Sequence, residues 1–170
     1  SLLLCPSNVA ISNLKQEGIV DGVIKTGDVM YDSAIYCANI AEKNRENFNS
    51  LSKDFGISEG NYFLATVHRA ENVDEIDNLK QIIFAFGELP QKVVWPVHPR
   101  TRKMMEVNEI SCKDNVILTL PFSYLDMILF LKNASLVLTD SGGVQKEAMF
   151  FETPCVTLRP ETEWIETLDS

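Results

Sequence analysis

The sequence has no long apolar run, little positive charge and no signal-like start. No stretch approaches the roughly 18 apolar residues of a membrane-spanning helix, and the opening "SLLLCP" is too short and lacks the basic residues of a signal peptide. With 15 Lys and Arg against 24 Asp and Glu, the formal charge is -9, which argues against a DNA or RNA partner. We therefore expect a cytoplasmic protein that binds neither nucleic acid nor a membrane.

Several common site motifs are also missing. The four cysteines lie far apart, mostly within apolar segments, and no C-x-x-C pair indicates zinc or redox chemistry, so we expect reduced core residues. Neither G-x-G-x-x-G nor G-x-x-x-x-G-K-[ST] occurs, so the dinucleotide and P-loop fingerprints are not supported. The chain does not begin with Met, and its first residues resemble the end of a strand, so we expect a piece of a longer protein.

What is present is a regular alternation of short apolar runs and amphipathic stretches. At 170 residues and 45% hydrophobic, the chain is long enough for one self-supporting core. The runs are apolar throughout, as in parallel sheets buried on both faces. The predicted fold class is α/β, a Rossmann-like parallel sheet with helices on both faces. The main predicted strands span residues 2–5, 62–67, 92–97, 115–118, 136–138 and 155–158.

The helical segments follow these strands. The apolar spacing predicts one long amphipathic helix over residues 30–48 and a helix that begins near Gly142. Lys146 is interpreted as a surface charge, and Glu161, Glu163 and Glu166 as the solvated face of a terminal helix. Further helices are predicted over residues 7–17, 74–87, 101–107 and 124–131.

Cationic and imidazole side chains follow the predicted strands. In an open parallel sheet, ligands bind outside the carboxyl ends of the strands, so these side chains are expected at one rim and predict an anionic ligand. The alternative is that they cap loops and pair with neighbouring carboxylates. The set contains both histidines and three arginines: His68, Arg69, His98, Arg100 and Arg159.

The segment Ser141-Gly142-Gly143 joins a predicted strand to a predicted helix. Backbone N–H groups and the positive end of the helix dipole point outward there, and a phosphate fits. The alternative is a plain turn with an N-cap, which such a segment alone more often forms. Glycine lets the backbone approach the phosphate closely, and the Ser141 hydroxyl can cap the helix or donate to the ligand. Glu147, farther along this helix, is either a solvated residue or the acceptor of two ribose hydroxyls.

Four ordered motifs resemble those of the non-hydrolysing UDP-N-acetylglucosamine 2-epimerases. They are "ATVHRAENVD", "PVHPRTRK", "PFSYLDMI" and "TDSGGVQKEA", and the opening "CPSNVAISNLKQEGI" and "TGDVMYD" fit the same family. The resemblance implies the GT-B architecture of two Rossmann-like domains, of which this chain would be the C-terminal half. Residues 1–27 would end the N-terminal domain and form the interdomain connection, and residues 28–170 would form the UDP-binding domain.

The resemblance also implies roles for individual residues. Ser141, Gly142 and Gly143 would bind the diphosphate, Glu147 the ribose hydroxyls and the Met127 backbone the uracil edge. Catalytic His68 would aid departure of UDP, while Arg69, His98, Arg100 and Arg159 complete the expected substrate-binding set. The family reaction removes the C2 proton, expels UDP from C1 and adds it back, with carboxylates of the other domain as acid and base. No cofactor or metal is implied, and the full-length protein would be a homodimer.

One position departs from the family pattern. At the position of Trp164, many members carry an arginine that contacts the nucleotide. The tryptophan resembles relatives that act on other sugars, including UDP-2,3-diacetamido uronic acids. The UDP-sugar therefore stays open between UDP-N-acetylglucosamine and a related acetamido sugar. Two other functions compete: a GT-B glycosyltransferase that uses a UDP-sugar, and a nucleotide-binding module without catalysis of its own.

Overall fold

The computed structural model describes residues 1–162 and 164, and it places the strands in two parallel sheets. A small sheet pairs β1 (Leu3–Cys5) with β2 (Val23–Lys25), which are joined by α1 (Asn8–Gln16). The larger sheet contains β3 (Phe63–Thr66), β4 (Val93–Pro96), β5 (Val116–Thr119), β6 (Leu136–Thr139) and β7 (Cys155–Thr157). Its order is β5-β4-β3-β6-β7, and all its pairings are parallel.

The strand order reverses between β3 and β6. From β3, the chain first builds outward through β4 to β5, and then returns to lay β6 on the other side of β3, followed by β7. Each of the six predicted strands is found to within one residue at either end, and the predicted parallel α/β class is confirmed. A reversal of this kind opens a crevice at the carboxyl ends of the two neighbouring strands.

Helices cover both faces of the larger sheet. Successive side chains of a strand point to opposite faces, so Phe63 and Ala65 of β3 pack in one core and Leu64 in the other. The first core is closed by α4 (Ala70–Val73), α5 (Ile76–Gly87) and α6 (Pro99–Val107). The second core is closed by α2 (Val29–Lys43), α3 (Glu46–Phe55), α7 (Tyr124–Lys132) and α8 (Gly142–Phe150).

Side-chain caps fix where several helices begin. Asp28 accepts a hydrogen bond from the Met30 amide at 2.9 Å at the start of α2, and Ser123 accepts one from the Asp126 amide at 3.2 Å at the start of α7. His98 caps α6, where its Nδ1 accepts from the Arg100 amide at 3.2 Å. These caps satisfy N–H groups that the helices themselves cannot, and they fix the loops that follow the strands.

The prediction of one long helix over residues 30–48 is wrong. The chain leaves the helical conformation at Asn44 (φ -125°, ψ 48°), and α3 begins as a separate helix at Glu46. Arg45 at the break pairs with Glu42 at 2.9 Å and with Glu59, and the new direction places Phe48 against Phe130 with ring centroids 4.9 Å apart. The apolar spacing continues across the break, which is why periodicity alone does not reveal it.

The remaining expectations for single residues have mixed outcomes. All four cysteines are free, with Cys5 buried and the others half-buried, and burial raises the pKa of Cys155 to about 11. Glu161 is exposed and lies outside any helix, while Glu163 and Glu166 lie outside the described residues. Within residues 1–162 and 164, none of the helices combines the length and the apolar character needed to cross a membrane.

The interpretation of Lys146 as a surface charge is also wrong. The residue is only 4% exposed, because the start of α2 and Trp164 cover its side of α8. Its Nζ pairs with the Asp28 carboxylate and lies 3.9 Å from the centroid of the Trp164 ring. Burial alone raises the pKa of Asp28, but hydrogen bonds from Lys146 and the Met30 amide outweigh burial, so this pKa is lowered.

We expect Lys146→Ala to lower the free energy of unfolding by about 2–4 kcal/mol, because Asp28 loses its partner in a largely buried pair. Urea denaturation of the parent and the variant measures this change. Lys53→Ala, at an exposed position of α3, is the control and should change the free energy by about 0.5 kcal/mol or less. Equal effects of the two substitutions would show that the buried pair contributes nothing.

Candidate functional site

The carboxyl ends of β3 and β6 bring two polar segments side by side. Thr66 of β3 lies opposite Thr139 of β6 in the parallel register, and their hydroxyls are hydrogen-bonded. His68 and Arg69 therefore leave β3 at the level where Asp140 and Ser141 leave β6. This is where the strand order reverses, so these residues face the crevice of the sheet.

The Asp140 carboxylate joins these two segments. Its side chain is fully buried and accepts hydrogen bonds from the amides of His68 (2.9 Å) and Arg69 (2.8 Å) and from Asn72 Nδ2 (3.1 Å). Asn72 Nδ2 also donates to the Leu158 carbonyl at 2.9 Å, which connects the group to the loop after β7. Sequence reasoning did not select Asp140 or Asn72, although a carboxylate directly after a buried strand was a usable signal.

The two histidines lie at the same rim. The His68 imidazole is 43% exposed, and its Nδ1 lies 3.4 Å from Asp140 Oδ1. The rings of His68 and His98 are 6.3 Å apart between centroids, because β3 and β4 are neighbours in the sheet. The structure thus brings together both imidazoles that the sequence placed after strands.

The three arginines of the rim already have protein partners. Arg69 Nε donates to the Asp140 carbonyl at 3.2 Å. Arg100 pairs with Asp74, and Arg159 Nε lies 3.4 Å from Glu71 Oε1. The alternative of pairing with nearby carboxylates is therefore present for Arg100 and Arg159. The role of these two side chains in binding an anionic ligand stays a prediction.

The start of α8 presents backbone donors at the end of β6. Ser141 caps the helix: its Oγ accepts from the Val144 amide at 3.4 Å, and its carbonyl accepts from the Gln145 amide at 3.0 Å. The amides of Gly142 and Gly143 precede this first helical bond, so helix carbonyls do not accept from them. They lie at the positive end of the helix dipole, an arrangement that suits a phosphate.

Gly143 is not required by the packing of the protein itself. A Cβ added there would lie 3.7 Å from Met30 Cε and 3.8 Å from Ser141 Oγ, which are ordinary van der Waals distances. Alanine would also favour the helix more than glycine does. The packing around Gly143 therefore does not explain the glycine, and its contact with a diphosphate stays a prediction.

Glu147 lies on the same helix and is buried. It is 6% exposed and accepts a hydrogen bond from the Tyr124 hydroxyl at 2.8 Å. Burial raises the pKa of Glu147, and the hydrogen bond from Tyr124 offsets this only in part. The interpretation as a solvated residue is thus wrong, whereas the contact with ribose hydroxyls stays a prediction. Tyr124 is 23 positions away, so no local pattern revealed the pair.

Met127 lies in α7 near Tyr124. Its side chain packs at the edge of the second core, and its amide donates to the Ser123 carbonyl at 2.8 Å. The backbone of Met127 therefore belongs to the first turn of a helix that also carries the Glu147 partner. A contact between this backbone and the uracil edge stays a prediction.

These strand ends and the glycine-led helix define an α/β domain with a polar rim at its reversal of strand order, and comparison with known proteins identifies its family. The family model described as UDP-N-acetylglucosamine 2-epimerase matches residues 1–170. The chain belongs to this family, which confirms the resemblance of its motifs.

Individual relatives agree with the family. The chain is 50% identical to a UDP-N-acetylglucosamine 2-epimerase homolog of Methanococcus maripaludis, over 99% of this chain and 47% of the relative. It is 44% identical to the UDP-2,3-diacetamido-2,3-dideoxy-D-glucuronate 2-epimerase of Pseudomonas aeruginosa, over 97% of this chain and 45% of that protein. The chain thus spans about half the length of the curated relatives it matches.

A solved structure of the family has the same fold. The Methanocaldococcus jannaschii UDP-GlcNAc 2-epimerase, in complex with UDP-GlcNAc and UDP, superimposes with a TM-score of 0.87 at 38% identity. The match covers 99% of this chain and 48% of that one. The chain that contains the α/β sheet described above is therefore about half of a GT-B fold.

Gly143→Ala separates folding from binding. Because the added methyl group has room, we expect the free energy of unfolding to stay unchanged or rise by up to about 1 kcal/mol. We expect the affinity for UDP to fall at least about tenfold, since the methyl group occupies the approach to the backbone amides. Calorimetric titration with UDP measures the affinity, and unchanged affinity would show that no ligand comes close to Gly143.

Glu147→Gln should have opposite effects on stability and binding. The pKa of Glu147 is raised on folding, so its contribution to stability is present below the pKa of the unfolded chain and is lost as pH rises through the folded pKa. The glutamine variant removes the cost of a buried charge and should melt higher than the parent at about pH 7, with a difference that shrinks toward about pH 4. Its affinity for UDP should fall.

Thermal melts across this pH range and UDP titrations provide the two measurements. Glu106→Gln, at an exposed position of α6, is the matched control and should leave both quantities nearly unchanged. A Glu147→Gln variant that melts below the parent at neutral pH would contradict the burial argument, while unaltered UDP binding would contradict the ribose contact.

Proposed function

We propose that this chain is the UDP-binding half of an enzyme that epimerises C2 of a UDP-2-acetamido sugar, UDP-N-acetylglucosamine or a close relative. The observation that carries the proposal is the convergence of His68, the glycine-led start of α8 and buried Glu147 at the reversal of strand order. Backbone amides would hold the diphosphate, and the Glu147 carboxylate would accept from the ribose. Membership of the family supports the reaction class.

The same proposal divides the chain into two parts. Residues 1–27 would be the end of the preceding domain with the interdomain connection, and residues 28–170 the UDP-binding domain. In support, β1 and β2 form a sheet of their own, and Leu2, Leu4 and Ile24 are exposed there, as expected of elements that continue into another domain. The full-length protein would be a homodimer.

The chemistry would proceed by elimination and re-addition. A base from the other domain takes the C2 proton, the C1–O bond breaks with its electron pair passing to UDP, and a C1–C2 double bond forms. The helix-start amides and His68 would stabilise the charge that develops on the diphosphate. Protonation of C2 on the opposite face and return of UDP to C1 complete the epimerisation.

The sugar can be identified by isotope uptake. In heavy water, the full-length protein should replace the C2 hydrogen of its substrate by deuterium, as observed by NMR. UDP-N-acetylglucosamine and UDP-2,3-diacetamido-2,3-dideoxyglucuronate are the two candidates, because relatives carry both names. Trp164, which stands in place of the family arginine, packs on Lys146.

We expect His68→Asn to slow the exchange at least about a hundredfold, the usual size of a lost acid catalyst. Asp77→Asn, at an exposed position of α5, is the control and should exchange at the parental rate. Sugar transfer to an acceptor without deuterium uptake would replace the proposal by a glycosyltransferase. UDP binding without exchange on either sugar would indicate a binding module.

A further inference from the structure

We propose that Asp140 is a positioning residue for His68: it keeps a proton on Nδ1, so that Nε2 is the ring nitrogen that gains and releases the catalytic proton. The kinetic part of this inference rests on the proposed function. The assignment of the proton rests on geometry alone, in which Nδ1 lies 3.4 Å from a fully buried carboxylate.

The two oxygens of Asp140 have different tasks. Oδ2 accepts from the His68 amide at 2.9 Å, the Arg69 amide at 2.8 Å and Asn72 Nδ2 at 3.1 Å, so its capacity is used. Among the described residues, Oδ1 accepts over a longer distance from the His68 amide, at 3.1 Å, and it faces His68 Nδ1. Because an ionised carboxylate only accepts hydrogen bonds, a ring nitrogen that faces Oδ1 at 3.4 Å is favoured to carry the proton.

The surroundings prevent Asp140 from turning away from the ring. Asn72 holds Oδ2 and is itself fixed by the Leu158 carbonyl at 2.9 Å. The amide and the ring of His68 face the same carboxylate, so ring and backbone are oriented together. The Asp140 carbonyl in turn accepts from Arg69 Nε at 3.2 Å.

In the reaction, the two ring nitrogens of His68 would therefore have different roles. With Nδ1 protonated in both states of the ring, Nε2 takes up a proton to form the imidazolium and gives it to the UDP oxygen as the C1–O bond breaks. The electron pair of that bond passes to UDP, and the ring becomes neutral. The proton returns to Nε2 when UDP adds back to C1.

Asp140→Asn tests this assignment because it should reverse the tautomer. The amide oxygen is expected at the Oδ2 position, where three donors point, and this places the NH₂ group opposite His68 Nδ1. Nδ1 must then accept, so the neutral ring carries its proton on Nε2 and cannot release it without becoming an anion. Catalytic Asp–His pairs lose activity in this way when Asp becomes Asn.

The experiment uses full-length protein labelled with ¹⁵N-histidine, with the His68 signals assigned by their loss in His68→Gln. We expect the neutral ring of the parent to be protonated on Nδ1 and that of Asp140→Asn on Nε2. In steady-state epimerisation, kcat of Asp140→Asn should fall at least about a hundredfold, with KM within about threefold. Asp54→Asn, at an exposed position of α3, is the control and should keep the parental tautomer and kcat.

A parent whose neutral His68 carries its proton on Nε2 would overturn the proposal, and so would an Asp140→Asn variant with unaltered kcat. The spectrum of the parent decides the matter even where Asp140→Asn does not fold. If the full-length protein epimerises neither sugar but His68 is protonated on Nδ1, the proposed function fails while the assignment of the proton is supported. The two failures are therefore distinguishable.

Discussion

The site depends on the hydrogen bonds that the buried Asp140 carboxylate accepts from backbone amides of the loop after β3. This group stands at the end of β6 and binds the amides that follow β3, so the two strands at the reversal of strand order share one polar anchor. A buried carboxylate is tolerated only where donors satisfy it, and here backbone amides and Asn72 do so. This anchor holds the His68 backbone next to Ser141, the residue that caps α8.

Helix α8 buries two charged side chains, Lys146 and Glu147, in different surroundings. Lys146 on one side is matched by Asp28 and Trp164, which ties the helix to the start of α2. Glu147, the next residue, faces a tyrosine that donates one hydrogen bond, and its raised pKa shows that burial is not fully compensated. A carboxylate that costs the folded state free energy is more readily explained by a ligand than by stability.

The sheet was predictable because its signals are local and strong. Continuous apolar runs between helical stretches gave each strand of the larger sheet, and the polar residues after those runs gave the rim that holds His68, His98 and Ser141. The break at Asn44 was not predictable, because the apolar spacing continues across it. Lys146 is covered by Trp164, 18 positions away, and Glu147 contacts Tyr124 in another helix. The local sequence around Lys146 and Glu147 therefore does not predict their burial.

Some polar residues of this region stabilise the fold, whereas others are not explained by packing. Asp140 and Asn72 satisfy backbone groups of the folded chain: Asp140 accepts from the Arg69 amide, and Asn72 donates to the Leu158 carbonyl. Gly143 and Glu147 differ from these residues: a methyl group has room at Gly143, and burial raises the pKa of Glu147, so the fold disfavours its charged form. These two residues lie on the helix that starts at the carboxyl end of β6, where the proposed function places the nucleotide. Asp140 connects fold and site, because the carboxylate that accepts from the backbone amides after β3 is also the one that faces the His68 ring.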